Sequence, residues 1–80
     1  MKVYKFYSPT CGPCKVLEKN LQESGIEYES IDITKEENDE LVTKYNIMSI
    51  PTLIKTSDNG DSIFRNKGIL SVEDIKKYFG

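Results

Sequence analysis

The 80-residue sequence predicts an α/β fold with the element order βαβαββα, in which a four-stranded mixed sheet is flanked by three helices. Three observations lead to this prediction. Four segments are rich in β-branched and aromatic residues, three others repeat apolar residues at helical spacing, and Asp58-Asn59-Gly60-Asp61 is a tight-turn signal between the last two strands. A strand–helix–strand unit gives a parallel pair, whereas an Asn-Gly turn gives an antiparallel pair. We expect residues 1–80 to form a single domain, because a chain of this length has room for one core.

The first half of the chain is predicted to hold two strands and one helix. Residues 2–7 are β-branched and aromatic and predict the first strand. Residues 12–24 predict a helix, because apolar side chains recur on one face, and Gly25 stands where a helix-ending glycine is preferred. Residues 26–33 alternate in polarity and predict the second strand.

The second half is predicted to hold two helices and a hairpin. Thr34-Lys35-Glu36-Glu37 has the pattern of a capping box that opens a helix, in which the Thr34 side chain accepts from the amide three residues on. Residues 52–56 and 62–66 predict the two strands of the hairpin. Ser71 is predicted to cap the last helix. The apolar faces of these two helices are expected to consist of Leu41, Val42 and Tyr45, and of Val72, Ile75 and Phe79.

Composition and charge exclude several classes of function. The net charge is −2, so the charge does not indicate a basic surface for binding nucleic acid. No apolar run is long enough to span a membrane. The chain has no His, which excludes His-based catalysis and His metal ligands. The N-terminal residues do not resemble a secretory signal, so we expect a cytoplasmic protein. Residues 21–40 carry eight acids and one Lys, which indicates either a solvated helix or a docking patch for a basic partner.

The two cysteines, Cys11 and Cys14, flank Gly12-Pro13 where the first strand gives way to the first helix. Unpaired amides and the helix dipole at that position favour the thiolate of Cys11, and only a thiolate attacks a disulfide. Cys14 lies one turn on, close enough to attack a mixed disulfide formed at Cys11. Pro13 suits the first helical turn, and Gly12 leaves a partner room to approach.

Two other uses of this cysteine pair remain open. A zinc site needs four ligands, so it would require a second chain or carboxylates. A purely structural disulfide across so short a loop would stabilise the fold by roughly 2 kcal/mol at most. Dithiol redox chemistry is therefore the favoured interpretation.

Three segments together resemble the thioredoxin superfamily over nearly the whole chain. They are Cys11-Gly12-Pro13-Cys14-Lys15, Ile50-Pro51-Thr52 and Gly68-Ile69-Leu70-Ser71. The resemblance implies a minimal thioredoxin fold and a cis Ile50–Pro51 bond that faces the cysteines. The chain begins at the active-site strand, as glutaredoxins do, so it resembles a small thioredoxin in a glutaredoxin-sized frame. Such redoxins occur in phages and bacteria, and some serve ribonucleotide reductase.

The resemblance implies a thiol–disulfide oxidoreductase that reduces protein disulfides, with Cys11 as the nucleophile and Cys14 as the resolving cysteine. It implies no bound cofactor, a disulfide-containing protein as substrate, recycling by a reductase of the thioredoxin-reductase type, and ribonucleotide reductase as a candidate client. We expect a monomer that binds no metal, nucleic acid or membrane. The client is expected to contact Thr10, Gly12, Pro13, Ile50, Pro51 and Gly68. The alternatives are a glutathione-dependent glutaredoxin and a non-enzymatic thioredoxin-like module that binds partners through the same surface.

The sequence departs from the family pattern beside the cysteines. Thioredoxins usually have Trp before the first Cys and again four residues before it, where this chain has Thr10 and Tyr7. The family keeps a buried Asp at the position of Lys5. We expect the Lys5 stem to pack at the sheet edge with its ammonium in water. In the alternative, its charge lies near the sulfurs and lowers the pKa of a thiol. The nearest acids in the sequence are Glu18 and Asp32.

Overall fold

The four strands form one mixed sheet. In the computed structural model, which describes all 80 residues, the strands are β1 (Lys2–Tyr7), β2 (Glu29–Asp32), β3 (Thr52–Thr56) and β4 (Ser62–Lys67), and the helices are α1 (Gly12–Ser24), α2 (Asp39–Lys44) and α3 (Val72–Phe79). The strand order is β2-β1-β3-β4, with β1 parallel to β2 and antiparallel to β3, and β3 antiparallel to β4. The predicted fold class is confirmed. No helix of the fold is both long enough and apolar enough to cross a bilayer.

Helix α1 has the predicted bounds because local signals mark both of its ends. Pro13 lies in the first turn, where its missing N–H leaves no hydrogen bond unmade. Gly25 ends the helix in the left-handed conformation with φ 75°, and its amide donates to the carbonyl of Gln22 at 3.3 Å. A residue with a Cβ would be strained in that conformation.

Strand β2 is shorter than predicted, since only Glu29–Asp32 pair with β1. Ile26 and Tyr28 instead pack against the core beneath α1 and α3. Ile31 and Ile33 point to the opposite face of the sheet. The alternation in this segment thus supplies apolar side chains to both faces, although its first half lies outside the ladder.

The predicted capping box at Thr34 is wrong. Thr34 donates from its backbone amide and its hydroxyl to Oδ1 of Asp32, at 2.9 and 2.7 Å, so its side chain closes a turn after β2. A short 3₁₀ helix, Glu36–Asn38, follows with Lys35 at its N-cap and no side-chain cap. Helix α2 continues directly from it. An Asp two residues upstream competed for the hydroxyl, a local alternative common for Thr.

The hairpin turn and the last cap are confirmed. The amide of Ser57 donates to the carbonyl of Asp61 at 2.8 Å, and Gly60 adopts φ 89° between them. Oγ of Ser71 accepts from the amide of Asp74 at 3.2 Å. That hydrogen bond satisfies one of the free amides at the start of α3.

Each face of the sheet carries its own apolar core. The core on the face covered by α1 and α3 consists of Val3, Leu17, Leu21, Leu53, Ile75 and Phe79. The core on the α2 face consists of Tyr4, Phe6, Ile31, Tyr45 and Ile54. Alternate residues of β1 serve the two cores, so β1 is buried on both faces as well as on both edges.

Candidate active site

Three loops leave the sheet at one end. β1 and β3 are antiparallel, and Phe6 near the end of β1 lies opposite Thr52 at the start of β3. Thr52 in turn lies opposite Lys67, the last residue of β4. The segments that follow β1, precede β3 and follow β4 therefore emerge side by side. They contain all of the site residues predicted from the sequence.

The two cysteines are joined by a disulfide at the start of α1. Cys11 is the N-cap of the helix, and its Sγ accepts a hydrogen bond from the backbone amide of Cys14 at 3.1 Å. The two Cα atoms are 5.2 Å apart. Cys14 is 3% exposed and faces the core, whereas Cys11 is half-buried. The sulfur nearer to solvent is therefore also the one that receives a helix amide, as predicted.

The residues around Cys11 form an open surface. Thr10, Gly12 and Pro13 are all exposed. A Cβ added at Gly12 would meet no atom within 4 Å, so nothing in the protein itself requires a glycine there. The space over Gly12 is free for another molecule.

The proline loop and the turn after β4 are tied together. The Ile50–Pro51 peptide bond is cis, as the resemblance implied. Pro51 is buried, Ile50 is half-buried, and the Pro51 carbonyl accepts from the amide of Gly68 at 2.9 Å. Gly68 has φ 90°, and a Cβ there would meet no atom within 4 Å. Oγ1 of Thr52 donates to the carbonyl of Ser49 at 2.7 Å and so holds the loop from its other side.

The expected position of Lys5 is wrong. Lys5 lies in the central strand β1, opposite Ser30 of β2 and Leu53 of β3, so it is not at the sheet edge. The residue is 1% exposed, and its ammonium does not reach water. β1 becomes an interior strand only because β3, from the second half of the chain, pairs on its other side.

The buried ammonium of Lys5 is held by one carboxylate and two aromatic rings. Nζ lies 3.4 Å from Oε1 of Glu18, and the Glu18 side chain is 43% exposed. The same Nζ lies 4.6 Å from the ring centre of Tyr7 and 5.8 Å from that of Tyr28. In the sequence alone, Glu18 is only one of the two acids nearest to the cysteines. Its spacing of four residues from Cys14 places both on one side of α1, but only the packing of α1 on β1 brings Glu18 to Lys5.

The second acid considered from the sequence, Asp32, serves the turn after β2 instead. Its hydrogen bonds from the Thr34 hydroxyl and amide hold the pKa of its carboxyl below the ordinary value of 3.8.

The ring of Tyr28 lies beside the Lys5 ammonium. Burial in the first place, and the negative charge of Glu18 in the second, raise the pKa of the Tyr28 phenol above 10.0, against a smaller lowering by a hydrogen bond with Gln22.

A family model, curated relatives and solved structures all relate this chain to thioredoxins. A family model described as Thioredoxin matches residues 1–79. Thioredoxin from Bacillus subtilis (strain 168) is 46% identical over 76 residues, which cover 90% of this chain and 72% of that protein. The SPbeta prophage-derived thioredoxin-like protein YosR of the same organism is 32% identical over 68 residues, covering 85% of this chain and 82% of that protein. A structure of thioredoxin-2 from a malaria parasite has a TM-score of 0.81 at 22% identity, covers 96% of this chain and 78% of its own, and shows the shared fold.

Proposed function

Because the chain belongs to the thioredoxin family and is a thiol–disulfide oxidoreductase, we propose that it reduces protein disulfides with Cys11 as the nucleophile and Cys14 as the resolving cysteine. The observation that carries the proposal is the hydrogen bond from the Cys14 amide to Cys11 Sγ at the N-cap of α1. In the reduced protein this amide and the helix dipole favour negative charge on that sulfur.

The reaction divides into two exchanges that balance without a cofactor. The Cys11 thiolate attacks one sulfur of the substrate disulfide, an S–S bond forms between them, and the other substrate sulfur leaves as a thiolate that takes a proton from water. Cys14, deprotonated, then attacks Cys11 Sγ. The Cys11–Cys14 disulfide forms, the bond to the substrate breaks, and the second substrate sulfur leaves and is protonated. Two electrons pass from the protein to the substrate.

We assign client binding to the surface around the cysteines. It consists of Thr10, Gly12, Pro13, Ile50, Pro51 and Gly68. The open space over Gly12 and Gly68 supports this assignment, because an extended client backbone needs room beside the sulfur. Exposed apolar side chains in the neighbouring loops, Met48 at 77% and Ile69 at 48%, would contact the residues that flank the client cysteine.

Insulin reduction driven by dithiothreitol tests the activity, and two variants test the roles. Reduced Cys14→Ser should accumulate mixed disulfides with a client that contains a disulfide, since no second cysteine resolves the bond at Cys11. Cys11→Ser should accumulate none. Wild-type protein that fails to accelerate insulin precipitation would favour a binding module without activity. Trapping by Cys11→Ser rather than Cys14→Ser would reverse the two roles.

Recycling is the second part of the proposal. A flavoprotein reductase of the thioredoxin-reductase type should return electrons to the Cys11–Cys14 disulfide. The similarity to two bacterial thioredoxin proteins supports this choice. NADPH oxidation with thioredoxin reductase should exceed that with glutathione and glutathione reductase. The opposite ranking would identify a glutaredoxin-type electron supply.

We place the protein in the cytoplasm as a monomeric single domain, with ribonucleotide reductase as one client. The similarity to a prophage-derived bacterial relative supports this choice. In a reconstituted assay, the reduced protein should sustain deoxyribonucleotide formation through several turnovers. The Cys14→Ser variant should not. Absence of turnover with wild-type protein would remove this client and leave the general reductase activity untouched.

A further inference from the structure

We propose that Arg65 holds the loop between α2 and β3 in the conformation that a client binds, which makes it a positioning residue for client recognition. The inference rests on the proposed function, in which Ile50 and Pro51 of that loop contact the client. Arg65 is the only arginine of the chain and lies in the edge strand β4. It is not itself a member of the client-binding surface.

The second half of this loop, residues 46–51, is held by contacts already described. The Pro51 carbonyl accepts from the amide of Gly68 at 2.9 Å, and the Ser49 carbonyl accepts from Oγ1 of Thr52 at 2.7 Å. Both contacts lie within three residues of the start of β3. They leave the first half of the loop to be fixed by other groups.

The Arg65 guanidinium anchors the first half. It donates from Nη2 to the carbonyl of Tyr45 and from Nη1 to the carbonyl of Asn46, the latter at 3.3 Å. The last carbonyls of a helix have no partner within it, and these two follow directly on α2. A planar guanidinium can meet two successive carbonyls at once, whereas an ammonium is a point donor. Neither ion pair of the fold includes Arg65, so the two carbonyls are its polar partners in the chain.

Strand β4 thus holds the loop at both of its ends. Arg65 lies opposite Ile54 of β3 and faces the α2 side of the sheet, and Gly68 follows it by three residues. The span between the two ends of the loop is therefore set by β4. Asn46 has φ 50°, a conformation uncommon for a residue other than glycine, so the contact at its carbonyl supports a backbone that has little preference of its own for that shape.

An ordered loop affects protein clients and small disulfides differently. A client backbone that contacts Ile50 and Pro51 would have to order a mobile loop on binding, and that ordering lowers affinity. Cys11 lies on another segment, at the start of α1, and its contact with the Cys14 amide does not involve the loop. Loss of Arg65 should therefore weaken the binding of a protein client without changing the reactivity of the sulfur.

Insulin reduction driven by dithiothreitol, measured over a range of insulin concentrations, tests the proposal. Arg65→Met keeps a long apolar stem and removes both donors, so it should raise KM about fivefold and change kcat by less than about twofold. Hydroxyethyl disulfide is a neutral reagent without a peptide backbone. Its rate of reaction with the pre-reduced protein should change by less than about twofold.

Two control variants and one further measurement accompany the test. Lys76→Met removes the charge of an exposed lysine on α3, and Gly25→Ala destabilises the fold from the C-terminal end of α1; both should keep the wild-type KM. The amide of Ile47 donates to the carbonyl of Val42 at 3.0 Å, at the start of the loop. Its hydrogen exchange, read by NMR, should be at least about threefold faster in Arg65→Met and unchanged in Lys76→Met.

The proposal is overturned by an unchanged KM in folded Arg65→Met, by an equal loss of rate with hydroxyethyl disulfide, or by a raised KM without faster exchange of Ile47. A KM rise of the same size in either control would also overturn it. If Arg65→Met does not fold, Arg65→Lys replaces it: this variant keeps the charge but lacks the planar fork, and its KM should rise about twofold. An unchanged KM in Arg65→Lys would then be decisive against the proposal. Wild-type protein that does not reduce insulin refutes the proposed function itself, whereas active wild type with unaltered Arg65 variants refutes only the role of Arg65.

Discussion

Removing the partly exposed partner of the Lys5–Glu18 pair is expected to destabilise the protein more than removing the buried one. Glu18→Gln leaves an ammonium in the interior without a counter-charge, whereas Lys5→Met leaves a carboxylate that water already reaches. At the observed 3.4 Å the pair attracts by about 5 kcal/mol at an effective dielectric constant near 20. Solvent at Glu18 reduces the net loss, so we expect Glu18→Gln to cost about 1–2 kcal/mol of unfolding free energy.

The unfolding free energy of Lys5→Met is expected to be higher than that of the wild type or lower by no more than about 1 kcal/mol. Replacing a buried charge with an apolar side chain of similar length is often neutral or stabilising. The methionine sulfur would also lie against the rings of Tyr7 and Tyr28, which now flank the ammonium.

Equilibrium unfolding in urea, followed by far-ultraviolet circular dichroism on the oxidised protein, measures both values. Glu23→Gln, an exposed acid on the same helix, is the control and should change the unfolding free energy by less than about 0.5 kcal/mol. A Lys5→Met variant that loses 2 kcal/mol or more while Glu18→Gln is unchanged would refute this reasoning. It would show that the ammonium stabilises the fold by contacts other than the ion pair.

Three further predictions concern stability away from the sulfurs. Gly25→Ala should cost about 1 kcal/mol, because its φ of 75° is unfavourable for a residue with a Cβ, whereas Gly12→Ala should not; thermal unfolding of the two variants compares them directly. Ser71→Ala should also cost about 1 kcal/mol by removing the cap of α3, and Ser71→Asp should restore the loss in the same assay. The pH dependence of stability should have two limits. The pKa of Tyr28 is raised in the folded protein, so the folded state favours the neutral phenol. The contribution of this group to the unfolding free energy is therefore complete below pH 10.0 and is lost as the pH rises above it. The lowered pKa of Asp32 favours its carboxylate, so that contribution is present above pH 3.8 and is lost as the pH falls further. Tyr28→Phe should weaken the alkaline loss and Asp32→Asn the acidic one, and unfolding midpoints measured from pH 3 to 11 would contradict both assignments if the variants followed the wild type.

The features predicted correctly from the sequence are those that neighbouring residues determine. Pro13 and Gly25 mark the ends of α1, and Asn59-Gly60 marks the hairpin, because each conformation depends on residues only a few positions away. Cys11 and Cys14 could be located on the helix for the same reason. The one local prediction that was wrong, the cap at Thr34, was wrong because a second local acceptor was available.

The features that could not be predicted depend on residues far apart in the chain. The burial of Lys5 requires a strand on each side of β1, and the sequence around Lys5 contains no sign of the second one. The start of β2 depends on whether Ile26 and Tyr28 enter the ladder or the core, a choice that packing against α1 and α3 decides. The ion pair with Glu18 follows only when the sheet and the helix are assembled.

The central position of β1 also affects how the protein emerges from the ribosome. β1 is synthesised well before its antiparallel partner β3, which lies in the second half of the chain: Lys2 pairs with Thr56 and Phe6 with Thr52. A nascent chain that has not yet exposed β3 can form at most the β1–β2 ladder, which is too small to be stable alone. The folding rate is therefore governed by closing the loop between β1 and β3 rather than by forming any one helix. Until that loop closes, the edge of β1 that later pairs with β3 is open to other chains.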